Sequence, residues 1–240
     1  MTQPSTTSVF RPDLRINADA AIQVREIGHE KSPLLIIDNL LTTPDDFVEV
    51  ARRVPFRPPV SMYPGLNSPL PPPYLRVLVG ALKPLLHRIF AVPFERELTA
   101  HGFFALALRR GEEMHVMQRV PHQDSFKPER LGMVHFLCQG QQGGTGFYRH
   151  RATGFESVDQ KRTETFAPII QTEAQALVEG GRCVEDFYEL YDSADAVFNR
   201  LIVYQAHLLH AGLLDGSVLS PDPSVGRLTA NTFLGEGPPE

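Results

Sequence analysis

Proline and glycine punctuate this chain throughout, 21 and 18 among 240 residues, and that frequency favours many turns between short strands over a helix bundle. The densest stretch, PFRPPVSMYPGLNSPLPPP at 55–73, excludes a regular helix and a central strand, because proline lacks the amide donor that both require. Phe56, Met62, Tyr63 and Leu66 give it side chains to bury, so it reads as an ordered loop rather than a linker.

Between these breaks, short apolar runs mark the elements. Residues 33–38, PLLIID, read as a buried strand. Thr42 to Asp46 carries helix-start chemistry, with capping residues, a first-turn proline and early acids, and the helix would run through Arg52. Leu75, Leu78, Val79, Leu82, Leu85, Leu86 and Ile89 recur at three-and-four spacing and predict a second helix. From residue 98 the pattern changes to short strands, at 98–108, 133–138, 146–150, 201–204 and 227–234. In the last of these Thr229, Asn231 and Phe233 alternate against Leu228, Ala230 and Thr232. An insertion at 164–193 returns to helical spacing, split by Gly180-Gly181 into two short helices. Residues 1–12 are polar and expected to fray. The expected architecture is a single compact domain, mainly β with flanking helices. In it a helical and strand region at 1–97 packs on an antiparallel barrel or sandwich at 98–240.

The formal charge of −5 argues against broad nucleic-acid binding, which needs a basic face. Two cysteines, Cys138 and Cys183, allow neither a disulfide framework nor a cysteine-rich zinc module, and they read as reduced, buried thiols. No apolar stretch has signal-peptide or membrane-span length, so a cytoplasmic location without membrane contact is expected. A homodimer is compatible with this reading.

The sharpest local feature is Pro121-His122-Gln123-Asp124-Ser125. In a strand, residues two apart point to one face, so His122 and Asp124 can aim an imidazole and a carboxylate at one point. A third ligand would come from the distant run LIVYQAHLLHAG, where His210 and His207 compete. Two histidines and one carboxylate on one face of a metal leave the other face open, which suits iron(II) binding a co-substrate and oxygen together. His-x-Asp by itself also fits a solvated surface pair. Arg227 lies in a strand-like, apolar segment. Burying it requires an anion, either a bound carboxylate or an internal acid. His115, His135 and His150 read as core or surface histidines.

In their order along the chain these pieces resemble the iron(II)/2-oxoglutarate-dependent dioxygenases, in particular prolyl-hydroxylase and phytanoyl-hydroxylase versions. The resemblance runs from about residue 98 to 235. It rests on His122-x-Asp124, on the Gly143-Gly144-Thr145 turn before Phe147-Tyr148, on Leu-Leu-His210-Ala-Gly, and on Arg227. It implies a double-stranded β-helix, a jelly-roll or cupin-like barrel. It also implies iron(II) on His122, Asp124 and His210, and 2-oxoglutarate held by Arg227 with Tyr204 and Thr229. Oxygen would be the second co-substrate. The carboxylate at 124, where related halogenases carry a small residue, implies hydroxylation or demethylation. Arg149, Tyr148 and Arg119 are the candidates for binding a small polar or carboxylate-bearing substrate, such as an amino acid or peptide. Two other readings remain: a cupin-like metal-dependent isomerase, lyase or oxygenase without 2-oxoglutarate, and a non-catalytic ligand-binding barrel.

Overall fold

In the computed structural model, residues 10–93, 95 and 98–235 are described, so the expected fraying of 1–12 lies largely outside them. Among the described residues ten strands form two antiparallel sheets. In chain order the first elements are β1 (Ala21–Ile27), β2 (Ser32–Asp38), α1 (Pro44–Arg52), β3 (Gly65–Pro69), α2 (Pro72–Phe90), β4 (Thr99–Ala107) and β5 (Leu131–Phe136). There follow β6 (Gly144–His150), α3 (Gln160–Glu179), α4 (Val184–Phe187), β7 (Tyr188–Asp195), β8 (Arg200–Gln205), β9 (His210–Leu213) and β10 (Leu228–Gly235).

The larger sheet has the order β1-β2-β8-β5-β10-β4-β3, and the smaller β7-β6-β9. Alternation sorts the large sheet's side chains onto two faces. Leu35 and Ile37 of β2, Leu201 and Val203 of β8, and Leu228 and Ala230 of β10 pack under α1 and α2, where Phe47 stacks on Tyr74 with ring centroids 4.2 Å apart. Their neighbours Leu34, Ile36, Ile202 and Tyr204 face the other way and meet Phe147 and Ala194 of the small sheet. A third apolar cluster, with Phe166, Leu177, Val184, Tyr188 and Leu209, lies beneath α3.

The expected mainly β architecture with flanking helices is present; of the barrel or sandwich expected, the two sheets do not close into a barrel among the described residues. The outer strands of the large sheet are β1 and β3, and no strand of the small sheet pairs with either among the described residues. Proline explains one open edge: Pro64 precedes β3 and Pro69 ends it, which limits further pairing there. Residues 65–69, expected as loop, thus form an edge strand, the one strand position that tolerates flanking prolines. Within the insertion, helix begins earlier than expected, at Gln160. Residues 188–193, expected as helix, belong to β7. Both cysteines are free, Cys138 buried and Cys183 exposed, which corrects the expectation that both are buried. Among the described residues no helix is long and apolar enough to cross a membrane.

Candidate metal centre and its cavity

The chain leaves the large sheet at Gln205 and enters the small one at His210. The crossover between them is pinned on several sides. Ala206 donates its amide to the Arg130 carbonyl (2.8 Å), and its own carbonyl accepts from Asp124 (2.8 Å) and Ser125 (3.1 Å). His122 and His210 then exchange backbone hydrogen bonds in both directions, each 2.9 Å, forming an isolated antiparallel bridge. His122 and Asp124 therefore lie in a pinned loop rather than a regular strand, yet they converge as the strand argument expects.

The result is a cluster of His122, Asp124 and His210 whose ligand atoms all lie within 4.8 Å of one another. His210 Nε2 is 3.2 Å from Asp124 Oδ2, and His122 Nε2 is 3.7 Å from Asp124 Oδ1. His210 Nδ1 lies 2.9 Å from the Leu208 carbonyl. Donation there places the proton on Nδ1 and leaves Nε2 as the free ligand atom, the tautomer a metal site needs. Two imidazoles and a carboxylate form a donor set that fits iron(II) with open coordination positions.

The electrostatics suit a donor set for a cation. The His122 side chain is 59% exposed towards the cavities, yet the protein atoms packed around it and the neighbouring His210 charge lower its pKa, against Asp124 and a backbone hydrogen bond at Val120. Burial would raise Asp124, but the charge and hydrogen bond of His210, with His122, hold it below the usual carboxylate range. Burial would lower His210, and Asp124 reverses the direction. A metal ion would replace the proton that His210 and Asp124 otherwise share.

The cluster lines a cavity of about 580 Å³ whose wall also includes Tyr204, Arg227 and Thr229. Arg227 is 4% exposed. Its Nε donates to the Gln142 carbonyl and one terminal nitrogen to the Gly144 carbonyl, both at 2.8 Å. The Gly143-Gly144 turn is thus what orients the arginine. Among the described residues no acid forms an ion pair with Arg227, and the one carboxylate on the same cavity wall, Asp124, pairs with His210. Tyr204 leans on His210, ring centroids 4.8 Å apart. Thr229 is buried on the cavity face of β10, as the alternation along that strand predicts.

Five expected site residues beyond Arg227 therefore share this cavity: His122, Asp124, His210, Tyr204 and Thr229. The three substrate-binding candidates do not line it. Arg149 is committed to Glu156 (Nε to Oε1, 2.8 Å) and Glu189 (2.9 Å). Tyr148 packs in the cluster beneath α3, and Arg119 is exposed. His207 is buried but lies outside the cavity wall and the cluster, so of the two competing histidines it is His210 that lies beside His122 and Asp124.

Three contributors were not singled out as site residues. Tyr63, from the proline-rich segment, brings a buried hydroxyl with no protein partner to the cavity wall; burial pushes its pKa up to about 12, against the charge of Arg227. Asn231 adds a buried carbonyl oxygen without a partner on the same wall. Gly132 lies opposite Tyr204 in the β5–β8 register, and a Cβ there would sit 3.0 Å from the tyrosine ring. The side-chain alternation of β10 could have shown Asn231; nothing in sequence pairs Gly132 with Tyr204.

A model for a family of unknown function, DUF6445, matches residues 18–234. The chain belongs to this family. No curated protein sequence matches this DUF6445 member. Solved structures of low identity do. The non-heme alpha ketoglutarate dependent epimerase SnoN from nogalamycin biosynthesis is 11% identical, with a TM-score of 0.51 over 87% of this chain and 79% of that one. HygX from Streptomyces hygroscopicus, solved with nickel, 2-oxoglutarate and hygromycin B bound, is 13% identical with a TM-score of 0.44, over 86% and 83% of the two chains. A Pseudomonas putida prolyl-4-hydroxylase is 12% identical with a TM-score of 0.44, over 91% and 93%. At 11% identity the likeness to SnoN is one of fold alone.

Proposed function

We propose that this DUF6445 chain is a non-haem iron(II)- and 2-oxoglutarate-dependent oxygenase acting on a small-molecule substrate. One observation carries the reading. A His-Asp-His cluster and a buried arginine without an acid partner line the same cavity. The fold shared with SnoN, an alpha ketoglutarate dependent epimerase, supports it.

His122, Asp124 and His210 would hold the metal, and the Leu208 carbonyl would keep His210 in the ligating tautomer. Arg227 would pair the far carboxylate of 2-oxoglutarate through its unengaged nitrogen, with Thr229 and Tyr63 offering hydroxyls on the same wall. Tyr204 would fix the His210 ring by contact. With both bound, the metal and co-substrate supply the oxidation: substrate C–H, oxygen and 2-oxoglutarate give alcohol, succinate and carbon dioxide. The protein supplies position and a sheltered cavity. The expected carboxylate-bearing substrate draws no support from Arg149, which is committed to Glu156 and Glu189, or from Arg119, which is exposed and outside the cavity wall.

The test is anaerobic addition of iron(II) and 2-oxoglutarate, read by the weak visible charge-transfer band of the chelate. The band should appear in the wild type, vanish in His122→Ala, and weaken in Arg227→Ala. Metal binding without the band would favour a cupin-like enzyme that does not use 2-oxoglutarate. Absence of metal binding would leave a non-catalytic barrel.

A further inference from the structure

A second cavity, of about 450 Å³, adjoins the first. It lies between α3 and the segment leading to the metal ligands. Phe166, Ile170, Ala174 and Leu177 line it from one face of α3, at the three-and-four spacing that aligns side chains on a helix. Val120 and Pro121 face them. Met117, Val120 and His122 belong to the walls of both cavities, so the imidazole expected to bind metal separates the two spaces. The size falls in the range that encloses a small-molecule group.

The lining decides what such a group can be. It contains no arginine or lysine. A carboxylate or phosphate would find no cation there and would lose its hydration. The one carboxylate on the wall, Glu173, is already engaged, with Oε2 2.8 Å from Nε2 of the buried His150. It would repel a second anion. The remaining surface is largely aliphatic and aromatic.

Resting on the oxygenase reading above, we infer that this cleft is the substrate subsite and that it takes an uncharged hydrocarbon group, alkyl or aryl, of a small molecule. The group would lie against His122, while 2-oxoglutarate occupies the Arg227 end of the first cavity. The reacting carbon is then part of an apolar moiety. Selectivity follows from the α3 face rather than from Arg149 of β6. Charged groups of the substrate, where present, would point out of the cleft past the rim residues Gln123 and Gln171.

The neutral fluorophore N-phenyl-1-naphthylamine, which brightens on leaving water, tests this on the full chain loaded anaerobically with iron(II) and 2-oxoglutarate. Ala174→Trp and Ala167→Trp would fill the cleft from two positions of α3 that are not fully buried. The inference expects the probe to bind the wild type and to shift the charge-transfer band. Each tryptophan variant should bind it about tenfold more weakly or worse while keeping the band, which shows that the variant is folded. Equal probe affinity in wild type and both variants, with the band intact, overturns the subsite and leaves the oxygenase reading standing. Absence of the band in the wild type overturns the oxygenase reading and the substrate assignment with it, even if the probe is lost on filling the cleft.

Discussion

His135 is a pH-sensitive element built into the core. It is fully buried on β5, its ring between two committed partners. Asn199 Oδ1 accepts from the Leu41 amide (2.9 Å), which identifies that atom as oxygen, and it lies 3.2 Å from His135 Nε2. Nε2 therefore carries the proton. Nδ1, 3.1 Å from the Tyr74 hydroxyl, accepts. A neutral imidazole satisfies both contacts; an imidazolium would replace the acceptor with a donor. Burial, the dominant cause, lowers the pKa from 6.5 to about 4, against the hydrogen bond of Asn199. Between those values the unfolded chain binds the proton and the folded chain does not. Stability is thus fully present above about pH 6.5 and falls as pH drops towards 4. At about 1.4 kcal/mol per unit, acidification from about pH 7.5 to about pH 5 should remove about 2 kcal/mol through this residue alone. Urea unfolding at the two pH values, in wild type and in His135→Gln, measures it. Other histidines contribute to the wild-type slope, so the difference between the two proteins is the quantity of interest. If the pH dependence of stability is the same in both to within a few tenths of a kcal/mol, the argument from burial and tautomer is wrong.

Two further substitutions test packing. Gly132→Ala would place a Cβ 3.0 Å from Tyr204 Cε2 and 3.1 Å from Cζ, forcing the ring towards His210. A stability loss of about 1–2 kcal/mol together with weaker iron(II) binding is expected, read by thermal unfolding and metal titration; unchanged metal affinity would dissociate Tyr204 from the site. Gly80 lies exposed inside α2 with open space where a Cβ would stand, so Gly80→Ala should stabilise by about 0.5–1 kcal/mol in the same unfolding assay.

The elements legible in sequence were those whose burial imposes a period. β2 and α2 show it clearly, since each buries a continuous stripe against the same core. β1 was missed because most of AIQVREI is exposed, so neither face had to be apolar. β7 was misread for a different reason. A register shift pairs Phe147 with Asp192 but Tyr148 with Leu190, which leaves Tyr191 as an extra residue. Across the bulge the buried face changes: Tyr188 packs beneath α3, whereas Tyr191 and Ala194 pack between the sheets, so apolar residues fall three apart in sequence and imitate a helix. At the site, metal-ligand chemistry is carried by residue type and order, and His122, Asp124 and His210 could be found that way. A charge does not announce its partner: Arg149 meets Glu156 and Glu189, and nothing local in the sequence separates such an arginine from one that faces a ligand.

The crossover at 206–209, held between the two sheets by the bridge of His122 and His210, has a thermodynamic consequence. A cation bound to those side chains would close a ring through the junction that carries the chain from one sheet to the other. Metal activity then becomes a variable of mechanical coherence between the layers, adding RT ln(1 + [M]/Kd) to the free energy of separating them. The amides of Ala206, Leu208 and His210 are the natural gauges: their hydrogen exchange would slow with rising metal concentration, while that of α2, on the far side of the large sheet, would follow only global unfolding.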